Sequence, residues 1–247
     1  MNTPKYNYSI VFLSLSPTYL CSVSEQNIYT IIVAGGSGKR MGTETPKQFI
    51  LLNGLPVLAH TLRVFHSYNS KMPIFLVLTE DVHAQWKKLC EEFTIEVPHT
   101  LVPGGKERFD SVKNGLNAIQ AEEGIVAIHD GVRPLVSKET IDRCIGSASL
   151  TGGSLPVLAL TDSLRNVFGN FSIAVDRSNF VSVQTPQCFS LKAIRQAYNL
   201  PYQASFTDDA SVFEAAGGKL QLVEGNRENM KITMPGDIEL ASFLLRG

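Results

Sequence analysis

Apolar residues along this chain come in two spacings. Short β-branched runs at 29–33, 74–78, 125–128 and 155–159 read as buried strands, and further strands are expected at 94–97, 181–184 and 219–223. Between them, apolar residues recur at intervals of three and four. A helix is predicted from Pro56 through residue 68, with Val57, Leu58, Leu62 and Phe65 on or near one face. Others follow at 81–93, opened by Asp81, at 106–121, where Phe109, Val112, Leu116 and Ile119 are spaced for burial, and at 137–148, capped by Ser137. Helices at 191–198, 208–216 and 235–245 complete the pattern, and 48–52 is expected to be a short extended piece. This alternation implies an α/β fold, a Rossmann-like, mostly parallel sheet with helices on both faces. The polar, turn-bearing segment 161–179 stands out as an insertion.

In such sheets ligands bind beyond the carboxyl ends of the strands. Three loops with chemical content fall at such ends: 34–47, 104–111 and 130–133. The first reads Ala34-Gly35-Gly36-Ser37-Gly38-Lys39-Arg40-Met41, with Lys47 following in Thr45-Pro46-Lys47-Gln48. A glycine-rich turn after a first strand lets backbone N–H groups approach phosphate oxygens without interference from Cβ, and two or three cations beside it suit a triphosphate. It is not a P-loop, because Gly35 and Gly38 are too close and Arg40 follows Lys39. The dinucleotide fingerprint also fails, since Gly42 falls one residue late and no acidic strand end lies about 20 residues on.

Composition narrows the class. The chain has 247 residues, 44% apolar and 18% charged, with a formal net charge of −1. That suits one α/β domain over 28–247 and offers no basic surface for nucleic acid or an anionic membrane. Cys21, Cys90, Cys144 and Cys188 have no metal-ligand spacing and fit a reducing, cytoplasmic compartment, and the histidines form no HExxH pair. Residues 1–27 contain a brief apolar core interrupted by Pro17, too short to span a bilayer, and read as a poorly ordered extension or an over-long start.

Asp130, in His129-Asp130-Gly131-Val132-Arg133-Pro134, ends a strand beside the phosphate loop, where a carboxylate can hold Mg²⁺ or only cap the turn. His129 reads as a packing or hydrogen-bonding histidine. Lys106, Arg108 and Ser111 follow Gly104-Gly105 at a helix start that favours anions, or form a solvated face. Lys231 precedes a β-branched pair and is either a ligand cation or a strand-edge gatekeeper. Thr185 offers its hydroxyl to a ligand or forms a turn, and 207–209 offers a ligand or a helix cap.

The segments AGGSGKRM, TPKQF, GGKERFDSV, HDGVRP, VDRSN, QTPQ, FTDDAS and NMKIT occur in that order between Ala34 and Thr233. In that order they resemble the 2-C-methyl-D-erythritol 4-phosphate cytidylyltransferases of the non-mevalonate isoprenoid pathway, from about residue 28 to the end. The resemblance implies a GT-A-like nucleotidyltransferase fold with a protruding β-arm at 160–179 that reaches across a homodimer. It also implies that CMP passes from CTP to the sugar-alcohol phosphate with Mg²⁺ present. Arg40 and Lys47 would stabilise the transition state, while Arg177 and Lys231 orient the attacking phosphate. Ala34, Gly35, Gly36, Gly38, Lys106, Ser111 and Gly131 would bind the nucleotide. Asp130, Arg133, Ser163, Thr185 and Thr207 would contact the acceptor, with Asp130 also at the metal. Val33-Ala34-Gly35-Gly36 and Gly131-Val132 depart from the family pattern towards ribitol-5-phosphate cytidylyltransferases, whereas 162–165 and 175–179 point back to methylerythritol phosphate.

Overall fold

A computed structural model describes residues 27–35 and 45–246. The extension expected at 1–27 lies, apart from Asn27, outside the described residues, as do Gly36, Gly38 and Arg40. Among the described residues the main sheet has eight strands. β1 (Ile28–Val33) pairs in parallel with β4 (Ile74–Leu78) on one side and β6 (Ile125–Asp130) on the other, and β4 pairs in parallel with β5 (Thr100–Pro103). Beyond β6, β11 (Gln187–Ser190) runs antiparallel and joins it to β7 (Gly153–Ala159). β7 also carries β10 (Val181–Val183) antiparallel and β12 (Gln221–Glu224) parallel. The expected mostly parallel sheet is therefore observed.

Continuous apolar strands arise because both sheet faces are covered. Ile32, Leu76 and Leu78 point to one face and pack with Leu62 and Phe65 of α1 (Val57–Tyr68), Trp86 of α2 (His83–Glu92) and Ile145 of α4 (Lys138–Thr151). Ile31, Val77 and Val126 point to the other, against Val112 and Leu116 of α3 (Arg108–Ala118), Ile194 of α5 (Leu191–Ala197) and Phe213 of α6 (Asp209–Ala215). A small third cluster joins Leu52 of β2 (Leu51–Leu52) and Val57, just after β3 (Leu55–Pro56), to Val132, Ile232 and Ala241 of the last helix, α7 (Pro235–Leu244).

Several expectations need correction. The extended piece expected at 48–52 starts in a 3-10 turn, Lys47–Phe49, with only Leu51–Leu52 as strand, and Asp81 lies in a 3-10 turn, Glu80–Val82, ahead of α2 without capping it. Residues 94–97 are not a strand: Thr94 has φ 49°, the Ile95 N–H bonds back to the Cys90 carbonyl, and Ile95 plugs the core at the end of α2. The edge strand comes later, as β5. Conversely, no strand is expected between 184 and the helix at 191, yet Cys188 and Phe189 of β11 are fully buried between β6 and β7. The insertion at 161–179 forms a separate hairpin, β8 (Leu164–Phe168) with β9 (Phe171–Val175), outside the main sheet.

Candidate active site

The chain leaves β1 for β4 on one side of the sheet and later returns to place β6 on the other, so the carboxyl ends of β1 and β6 flank a topological switch point. Val33 and Asp130 are register partners there. A cavity of about 380 Å³ opens at this point, bordered by Gly35, Lys47, Gly105, Arg108, Asp130 and Lys231. Ala34, Lys106 and Ser111 also line it.

Local chemistry sets each wall. The Ala34 N–H donates to the Val77 carbonyl at 2.9 Å, holding the chain to β4 as it enters the glycine loop. Lys47 begins a short 3-10 turn, Lys47–Phe49. At the second glycine turn the Ser111 hydroxyl accepts from the Gly105 N–H at 3.0 Å and donates to the Glu107 carbonyl at 3.1 Å. A Cβ on Gly105 would lie 2.2 Å from Asp110 Cβ, so only glycine permits this close approach. Gly131 is packed under the site rather than along its lining: a Cβ there would lie 2.7 Å from Ala34 Cβ.

Asp130 is the hub. Its Oδ2 lies 3.0 Å from Lys231 Nζ and 3.3 Å from Arg133 Nε, and its Oδ1 lies 3.9 Å from Arg108. Burial opposes ionisation of this carboxyl, but Arg108, Lys231 and Arg133 together outweigh it and hold the pKa well below the usual carboxylate range. The Asp130 N–H donates to the Thr185 hydroxyl, which lies 3.0 Å from His129 Nδ1. His129 Nε2 faces only an acceptor, the Arg133 carbonyl, so it carries the proton and Nδ1 accepts from Thr185. Burial lowers the His129 pKa to about 4, so the ring is neutral near pH 7 and both nitrogens are occupied. Thr185 thus serves the strand tips. Asn229 ties the same region together, its side-chain amide donating to the Thr185 carbonyl at 2.8 Å while its backbone carbonyl accepts from Arg133. The Ile232 N–H bonds to the Val132 carbonyl, which fixes Lys231 beside Asp130.

Arg108 is expected to favour an anion or form a solvated face, and 207–209 to offer a ligand or a helix cap. Asp208 is the cap, accepting from the Ser211 N–H at 2.9 Å. Asp209, fully buried, grips Arg108 with two bonds of 2.8 and 2.6 Å and also accepts from the Tyr198 hydroxyl. Thr207 is exposed ahead of that helix. Arg177 and Ser163 are not brought to this cavity. Both are exposed on the insertion, and Arg177 donates to the Thr161 carbonyl and lines a different cavity with Glu224 and Arg227.

Among the described residues no three His, Cys, Asp or Glu side chains converge as a metal cage. Mg²⁺, however, is often held by one carboxylate plus substrate phosphates. Asp130 fits that pattern, since its Oδ1 has only the longer contact to Arg108.

A doubly wound sheet, a glycine turn at its switch point and cations gathered in the same cavity define the class, a nucleotidyltransferase. The model of the family described as 2-C-methyl-D-erythritol 4-phosphate cytidylyltransferase matches residues 28–247. The chain belongs to that family, which consists of cytidylyl-transferring enzymes. A relative of that name from Porphyromonas gingivalis is 50% identical over 222 residues, 90% of this chain and 99% of its own. One from Bacteroides fragilis is 47% identical over 215 residues, 87% of this chain and 98% of its own. The crystal structure of 4-diphosphocytidyl-2C-methyl-D-erythritol synthase from Anaerococcus prevotii superposes with a TM-score of 0.77 at 27% identity, covering 92% of this chain and 99% of that one.

Proposed function

We propose that this chain transfers CMP from CTP to 2-C-methyl-D-erythritol 4-phosphate, releasing pyrophosphate, as a cytoplasmic homodimer in isoprenoid precursor synthesis. The observation that carries the reading is the grouping of Lys231, Arg133 and Arg108 around Asp130, which lines one cavity with Lys47, Arg108 and Lys231.

A phosphate monoester has a second pKa of about 6, so near neutrality its oxygens are already nucleophilic. An acceptor phosphate oxygen bonds to the α-phosphorus of CTP, the α–β P–O bond breaks, and its electron pair leaves with pyrophosphate. No general base is required, consistent with a His129 whose nitrogens are both engaged. What the reaction needs is relief of repulsion between two anions. Lys47, with Arg40 from the first glycine loop, neutralises charge at the α-phosphorus and on the leaving group. Lys231 orients the attacking phosphate, and Asp130 keeps its ammonium group in place. Ser111 and Lys106 border the nucleoside end of the cavity. Mg²⁺, held by Asp130 and nucleotide phosphates, would supply further charge neutralisation when bound. Arg177, just after the β8–β9 hairpin, completes the acceptor site from a second copy, together with Ser163 just before that hairpin.

Pyrophosphate release with CTP and Mg²⁺ tests this, comparing methylerythritol phosphate with ribitol 5-phosphate. Release with methylerythritol phosphate alone is expected. Release with ribitol phosphate alone would overturn the acceptor, and silence with both would overturn the activity.

A further inference from the structure

Among the described residues, two buried side-chain oxygens accept no hydrogen bond, Gln48 Oε1 and Asn229 Oδ1. Asn229 lies away from the lining of the Asp130 cavity, whereas Gln48 forms part of it with only 2% of its surface exposed. An amide carbonyl that is buried and unpaired costs stability, and folds keep such groups chiefly where function uses them.

The missing partner must be a donor. Ionised phosphate oxygens only accept, which leaves a hydroxyl or amine delivered with a substrate. Under the reading above, the nucleoside lies at the Gly105–Ser111 turn. Gln48 belongs to a different wall. It leads through Phe49 into β2, whose Leu52 packs with Val132 and Ile232, the neighbours of Asp130 and Lys231. That is where the acceptor phosphate is placed.

The backbone that carries the amide is also held before any ligand arrives. Phe49, its neighbour, stacks on the fully buried Trp86 with ring centroids 5.8 Å apart and planes 14° from parallel. Trp86 Nε1–H donates to His99 Nε2 at 3.0 Å, which leaves His99 Nδ1–H to donate to the Val97 carbonyl at 2.7 Å. The Phe49 N–H closes the turn on the Pro46 carbonyl at 2.8 Å. A polar group carried on an anchored turn discriminates, because a ligand without the matching donor leaves it unpaired.

We propose that Gln48 is a specificity-determining residue that accepts a hydrogen bond from a hydroxyl of the polyol chain of the acceptor. This rests on the reading of the cavity as a cytidylyltransferase site.

The test is steady-state kinetics of Gln48→Leu and Gln48→Met, varying each substrate in turn, with thermal melts alongside. The expected result is a rise of about tenfold in the acceptor KM, with the CTP KM changed less than twofold. The melting temperature should hold or rise, because the unpaired carbonyl has gone; a structural role would lower it. An alkyl phosphate without hydroxyls, used as a competitive inhibitor, should bind wild type and variants equally. An effect carried by CTP, equal effects on both substrates, or a lower melting temperature with both KM values unmoved would overturn the role of Gln48. Absence of turnover in the wild-type protein would instead overturn the underlying function. Should one variant fail to fold, the other carries the comparison.

Discussion

Asp130 and Arg177 are both charged and both fall in motifs of the family, yet the chain surrounds them in opposite ways. Asp130 is 8% exposed at the tip of a central strand, with three cations drawn around it and its backbone N–H bonded as well. Arg177 lies exposed beyond β9, with a backbone carbonyl as its bonded partner among the described residues. The hairpin before it turns apolar side chains outward: Phe171 is 81% exposed, Val167 66% and Ile173 63%. A two-stranded ribbon is marginal by itself, and apolar exposure of this kind marks a surface built to be covered. One region is completed by its own chain. The other is consistent with completion by a second copy.

The contrast can be broken at several points. Lys47→Ala or Lys231→Ala should lower turnover by about a hundredfold or more while the melt stays cooperative, since each removes a cation from the cavity. Near-normal pyrophosphate release in either variant would remove that residue from the chemistry.

Mixing inactive variants sharpens the comparison further. If Arg177 serves the partner's cavity, Lys231→Ala and Arg177→Ala subunits unfolded and refolded together should recover about a quarter of wild-type activity, because one site in each mixed dimer is intact. Recovery of nothing would place Arg177 in its own chain's site, and an Arg177→Ala protein that is active by itself would put it outside the reaction.

Asp209→Ala should cost about 3–5 kcal/mol in chemical denaturation, because it leaves Arg108 and the Tyr198 hydroxyl without their shared buried carboxylate. A loss below about 1 kcal/mol would show that water replaces the carboxylate with ease.

The smallest effect concerns pH. The folded-state pKa of His129 is lowered from 6.5 to about 4, so between those values the unfolded chain binds a proton that the folded chain refuses. Stability should therefore fall as pH drops through that window, by up to about 3 kcal/mol, and this contribution should level off below it. His129→Gln should flatten that part of the stability profile. Asp130 acts lower on the scale: its depressed pKa contributes stability above the ordinary carboxylate range and loses it as pH falls below.

How legible the molecule was depends on how local each signal is. The spans of α1 and β4 followed from unbroken apolar spacing, and Ser137 caps α4 as expected, its hydroxyl accepting from the Thr140 N–H at 3.1 Å. β11 escaped because it has only four residues and opens on Gln187 directly after Pro186, and its burial comes from β6 and β7 on either side. The strand expected at 94–97 failed for the converse reason, an alternation that belongs to a helix end packing one side chain inward. Gln48 carried no signal beyond its place in a motif, because an unpaired amide exists only once its surroundings are closed.

By itself, the sequence determined the central strands and the helices that cover them, the loops at the strand ends and the family. Each of these is written in neighbouring residues through side-chain period, glycine geometry and motif order. Only the tertiary structure decided which charges meet. Arg108 and Asp209 stand 101 positions apart and Thr185 lies 56 from His129, yet they bond directly. Electrostatic energy and desolvation depend on distance in space and on burial, and the chain sets neither until the sheet has brought its strand ends together.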